Sequence, residues 1–142
     1  MKWLDGSDID IKNMTGESLC EKLSDEMYDH DYEEWLSWDE PVRTATFIIE
    51  FDTEFNMDGI FLILENSFGQ YMPEVINAFR AIGDDNDADV LSEICRIAPP
   101  GHELSEEVAE RIEELREKLY LYTDFDPWPL LFGYLDDKLK SE

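Results

Sequence analysis

Positive charge is what this 142-residue chain lacks most: 11 Lys and Arg stand against 36 Asp and Glu, a formal charge of −25. That imbalance argues against direct binding of nucleic acid, which depends on Lys and Arg neutralising phosphates. It argues equally against anionic membrane, and it favours basic protein surfaces. Cysteine is scarce too. Cys20 and Cys95 lie far apart and have no metal-ligand spacing. The opening MKWLDGSDID lacks the apolar core of a secretory signal, and no run reaches transmembrane length. A cytoplasmic protein with free thiols is the expectation. There is no Gly-rich phosphate loop, nucleophile elbow or HExxH, so neither an enzyme nor a cofactor is expected.

What is present can fold. Hydrophobic residues make up 43% and aromatics 13%, enough for one domain with a proper core. The chain is organised around Asn56 to Gly83. This stretch holds the apolar run Ile60 to Leu64 and then a helix announced by Pro73 and stopped by Gly83. Val75, Ile76, Phe79 and Ile82 recur there at helical spacing. The run at 60–64 is too short to be typed by periodicity.

Around that centre the chain reads as helices. Residues 1–14 read as a loosely held arm or a short turn. Thr15 to His30 forms a helix with Leu19, Leu23 and Met27 inward. Asp39 and Pro41 open another helix that runs to about Asn56. Its middle, TATFIIEF, favours strand on propensity. No other alternating run accompanies it, so helix is preferred.

Next, DDNDADVLSEICRI gives an acidic cap and a helix with Val90, Leu91, Ile94, Cys95 and Ile97 inward, stopped by Pro99-Pro100-Gly101. Ser105 caps the last long helix, whose inward residues are Val108, Ile112, Leu115 and Leu119. A short helix after Pro129 closes the core. The expected fold is all-α: a single multi-helix domain over 1–142 with an apolar central helix pair.

Two helices carry acidic stripes. Glu17, Glu21 and Asp25 sit two residues off the apolar stripe of the first, about 200° around the helix. Glu106, Glu110, Glu113 and Glu117 do the same on the last long helix. Glu107 with Arg111, and Glu114 with Lys118, are favourable i,i+4 pairs. Glu106 with Glu110, and Glu113 with Glu117, are like-charge pairs, each costing roughly 0.2–0.5 kcal/mol. Repulsion accepted on a solvent face suggests that the charge is used there. The expected partner-binding face is Glu17, Glu21, Asp25, Asp29, Asp31, Glu33, Glu34, Glu106, Glu110, Glu113 and Glu117.

Charge density decides whether such a face can imitate DNA. Four carboxylates over eleven residues span about 16 Å, one charge per roughly 5.5 Å. Duplex DNA carries one per about 1.7 Å. One stripe is too sparse, so mimicry requires acidic helices to cluster, or two protomers to share a face as a homodimer.

Other chemistry fails on spacing. Asp85, Asp87 and Asp89 begin like a calcium loop, but Val90 and Arg96 stand where Gly and Glu are needed. Asp29-His30-Asp31 lacks a second histidine, and His102 lacks a cysteine partner, so no metal is expected. Glu65, beside Asn66, reads as a helix-end hydrogen-bonding group rather than a catalytic acid.

The central stretch resembles a bacterial domain family that includes an acidic DNA-mimic protein. Gly59, Asn66, Ser67, Gly69, Pro73, Glu74, Ala78, Phe79, Ile82 and Gly83 stand at that family's pattern positions, and LREKLYLYTDFDPWPLLFGYLDD is similar to its closing segment. Ile60 replaces the usual Phe, and Leu62 a common polar residue. The resemblance covers about residues 40–137 and implies an all-α fold. For the DNA-mimic member it implies a dimer that occupies a helix-turn-helix repressor. The expectation is therefore an acidic interaction module that occupies the DNA-binding surface of a basic helix-turn-helix regulator or another DNA-binding protein. The alternative is an immunity-type inhibitor of a basic nuclease toxin.

Overall fold

Pro73 and Gly83 bracket one helix in the computed structural model, which describes residues 1–98, 103–120 and 127–141. Among the described residues eight α-helices follow one another: α1 (Gly16–Glu26), α2 (Tyr32–Trp35), α3 (Glu40–Met57), α4 (Gly59–Glu65), α5 (Met72–Ala81), α6 (Asp85–Ile97), α7 (Glu106–Arg116) and α8 (Trp128–Lys140). Tight 3₁₀ turns lie at Met27–Asp29 and Ser67–Tyr71. The described residues contain no strand, so the all-α expectation holds. The untyped run at 60–64 is α4. The Pro-Pro-Gly stop and His102 lie outside the described residues.

The hub is α3. It packs on α1, α4, α5 and α8, while α6 packs on α5 and α7 on α6. Thr44 through Phe51 are all buried. A helix buried all round shows no amphipathic stripe, which is why TATFIIEF looked strand-like. Thr46 satisfies its buried hydroxyl by donating to the Val42 carbonyl at 2.7 Å. Beside it, Trp35, Phe47, Phe68, Tyr71 and Tyr32 form a cluster of edge-on, tilted and stacked rings 4.9–6.2 Å apart. Such ring pairs contribute about 0.5–1.5 kcal/mol each beyond their area. The family-pattern position Ile60 is fully buried, whereas Leu62 is exposed.

Caps follow the sequence on α1 and α7, whereas Asp39 takes the N-cap position of α3 without a side-chain capping bond. Thr15 and Ser18 form a capping box on α1, and Ser105 accepts the Val108 N–H on α7. Gly83 takes φ +89°, the left-handed stop. At the end of α4 the hydrogen-bonding role belongs to Asn66 rather than Glu65. Asn66 Oδ1 accepts from Phe68 N and Gly69 N, while its Nδ2 donates to Glu54 at 2.8 Å; Glu65 is exposed.

Residues 1–14 form a turn. Lys2 bridges Asp8, Gly6 sits at φ +86°, and Trp3 is buried with its indole N–H donating to Glu26 at 3.1 Å. Asp5-Gly6 is the hairpin dipeptide that marks it. The C-terminal helix is longer than expected and starts at Trp128, ahead of Pro129.

Candidate functional site

All eleven carboxylates expected at the partner face are exposed. On α1, Leu19, Leu23 and the adjacent Met27 point into the core, so Glu17, Glu21 and Asp25 project outward. The side chains of Glu17, Glu21, Asp25 and Asp29 make no hydrogen bond or ion pair among the described residues. The α2 acids have local partners. Asp31 caps α2 by accepting Glu34 N at 2.9 Å, Glu34 meets His30 at 2.6 Å, and Glu33 accepts the Tyr71 hydroxyl at 2.5 Å.

The α7 stripe lies elsewhere. α1 packs chiefly on α3 and α8, and α7 on α6, so α3, α5 and α6 separate the two stripes in the order of packing. α7 also ends at Arg116, which leaves Glu117 as its C-cap. Arg111 pairs with Glu114 at 3.0 Å, in place of the expected Glu107–Arg111 and Glu114–Lys118 pairs. An i,i+3 contact brings the same charges together with one fewer residue of separation.

Cations divide the surface unevenly. From Glu106 to Lys118, six glutamates are interleaved with Arg111, Arg116 and Lys118. Between Lys22 and Arg80 there are fourteen Asp and Glu and a single Lys or Arg, Arg43. Lys22 itself is engaged: it pairs with Glu26 at 2.9 Å and lies 5.1 Å over the Trp3 ring. The α1–α2–α3 side is therefore the surface poorer in cations.

Between α1, α3 and α8 lies an open groove of about 530 Å³. Glu17, Glu21 and Asp52 rim it, and Ile49, Trp128 and Phe132 supply its apolar wall.

Sequence reasoning missed three buried acids. Glu50 lies in the buried stretch of α3, 3.5 Å from the Tyr28 hydroxyl. Burial first, then the charge of Glu54, pushes it up to about 7, while the Tyr28 and Tyr32 hydroxyls oppose the rise. Asp84 caps α6 through Asp87 N, and Asp87 accepts Tyr120 N at 2.7 Å. Asp84 Oδ2 and Asp87 Oδ2 are buried without hydrogen-bond partners. Burial and the neighbouring Asp84 raise Asp87 well above the usual carboxylate range. The clues were an acid inside an apolar run and an Asp directly after the Gly83 stop.

No set of three or more His, Cys, Asp or Glu among the described residues is placed to hold a metal. Burial pushes the Cys20 thiol up to about 12 and Cys95 to about 11, which makes both poor nucleophiles. No helix among the described residues is long and apolar enough to cross a membrane.

A family model described as DMP19-like protein matches residues 36–139. No curated protein and no solved structure matches the chain.

Proposed function

The chain belongs to the DMP19-like family, a family of DNA-mimic proteins, and from that membership we propose that it occupies the DNA-binding surface of a basic protein, foremost a helix-turn-helix regulator. The single observation that carries the reading is the cation-poor surface of α1, α2 and α3. There, between Gly16 and Met57, twelve carboxylates besides the buried Glu50 face two cations, Lys22 and Arg43. The carboxylates act as fixed anions that replace phosphates, not as acids or bases, and no catalysis is involved. A basic surface meeting this face gains Coulombic contacts and steering at low salt.

The α1–α2–α3 side is the principal contact surface, and the interleaved α7 stripe a secondary one. Spacing along any one helix remains sparser than a duplex. A homodimer that places two α1–α2–α3 surfaces side by side would close that gap.

The test is competition. The immobilised chain is incubated with lysate of its native cell, washed, and eluted with duplex DNA or with an equal concentration of neutral dextran. Elution of a DNA-binding protein by DNA and not by dextran supports mimicry. Capture of a nuclease whose cleavage the chain blocks would replace it with the immunity reading. A captured protein that DNA cannot displace and that is no nuclease would overturn both.

A further inference from the structure

We infer that the groove between α1, α3 and α8 is a pocket for a single arginine side chain of the basic partner, an inference that rests on the mimic reading. Its lining residues include three carboxylates, Glu17, Glu21 and Asp52, and no Lys or Arg. Glu17 and Glu21 form no ion pair or hydrogen bond among the described residues, so their charge is available to a visitor. Four residues of helix separate them, about 6 Å along the axis. A guanidinium held between them can donate to both, because its donors point in a fixed planar fork.

The apolar part of the lining favours arginine over lysine. Trp128 and Phe132 stack with ring centroids 6.2 Å apart, and both line the groove with Ile49. A delocalised guanidinium lies flat on an aromatic face and sheds its hydration more readily than an ammonium. The methylene stem of the same side chain covers apolar wall. A groove of about 530 Å³ accommodates one such side chain together with bridging water. Charge complementarity selects this occupant. A second copy of this strongly acidic chain has few cations to offer, and a purely apolar ligand would leave the three carboxylates facing it.

Position supports the assignment. Glu17 and Glu21 belong to the stripe that continues into Asp25 on the cation-poor side of the molecule. A basic surface lying along that stripe would bring its side chains past the groove mouth. Arginine is also the residue most used for phosphate and base contacts in DNA-binding proteins. A mimic that captures one such side chain gains a specific anchor within an otherwise diffuse electrostatic contact.

The experiment uses the full chain and three alanine-flanked peptides that differ at one central residue: arginine, lysine or citrulline, the neutral isostere of arginine. Binding is followed by two-dimensional ¹⁵N–¹H NMR, with the Trp128 indole N–H as reporter. The arginine peptide is expected to shift that signal and the Glu17 and Glu21 amides. The citrulline peptide should bind about tenfold more weakly, the loss of one charge-assisted hydrogen bond. The lysine peptide is expected between them. The variant Glu17→Gln/Glu21→Gln/Asp52→Asn should lose the arginine preference, and Glu106→Gln/Glu110→Gln/Glu113→Gln should keep it. Equal binding of arginine and citrulline peptides, or equal loss in both triple variants, would overturn the pocket. These peptides need no natural partner, so failure here is distinct from failure of DNA to displace a captured protein.

Discussion

Asp87 Oδ1 accepts the backbone N–H of Tyr120 at 2.7 Å, joining the first turn of α6 to the chain just past α7. Asn86 adds a second clasp by donating to the Lys118 carbonyl at 2.9 Å. Asp87→Ala would leave the half-buried Tyr120 N–H without its acceptor and should cost about 1 kcal/mol in urea unfolding at pH 7. Asp87→Asn keeps an acceptor and sheds the buried charge next to Asp84, so it should cost less than half as much. Equal losses in the two variants would show that the hydrogen bond is not the source.

Glu50 predicts a pH dependence of stability. Its folded value, about 7, lies above its ordinary value of 4.5. The native state therefore binds more protons than the unfolded chain between those values. The stabilisation is complete below pH 4.5 and is lost as pH rises through 7. Glu50→Gln removes the titration. It should gain about 2 kcal/mol relative to the parent at pH 8, and almost nothing at pH 4.5, in paired urea titrations. Asp87 acts in the same direction, so its Asn variant run in parallel separates the two contributions.

Two glycines should respond very differently to alanine. A Cβ on Gly16 would sit 2.4 Å from the Phe132 carbonyl oxygen and 2.9 Å from its Cα, so α1 and α8 would have to separate. The Gly16 N–H also donates to Asp136 at 2.6 Å, a bond that such a shift would stretch. Gly16→Ala should cost about 2–3 kcal/mol. At Gly83 there is open space, and only φ +89° resists a side chain. Gly83→Ala should cost about 1 kcal/mol. Thermal melts of both variants would rank them.

Net charge sets the salt response. With a formal charge of −25, self-repulsion destabilises the folded chain at low ionic strength. Its melting temperature should rise as NaCl is increased from 10 to about 300 mM, where the screening length drops below 10 Å. Glu110→Gln relieves the repulsion with Glu106 and should stabilise by about 0.2–0.5 kcal/mol at low salt. A flat salt profile would mean that the carboxylates are already neutralised by bound cations or protons.

Helices with one wet face were legible from sequence, because burial on one side imprints a 3.6-residue period. Leu19, Leu23 and Met27 are all fully buried, and Glu17, Glu21 and Asp25 exposed, as that period requires. α3 was harder to read, since burial on every side erases the period and leaves only β-branched and aromatic composition. The anionic surface was half legible. Exposure of each carboxylate follows from its offset, but which stripes are neighbours depends on helix order. Glu50 and Asp87 were invisible as buried acids because a carboxylate normally signals solvent. Only the tertiary packing that encloses them reverses that.

The first thirty-five residues carry a consequence of their own. Family likeness begins at residue 36, yet Trp3, Leu19, Leu23, Met27 and Trp35 are sealed inside the same core as α3. The indole of Trp35 even donates to the Met27 carbonyl at 3.1 Å within it. The matched span is thus smaller than the hydrophobic core that it shares. A fragment cut to the recognisable borders would expose the hydrophobic flank of its longest helix to water and part with one wall of the arginine pocket.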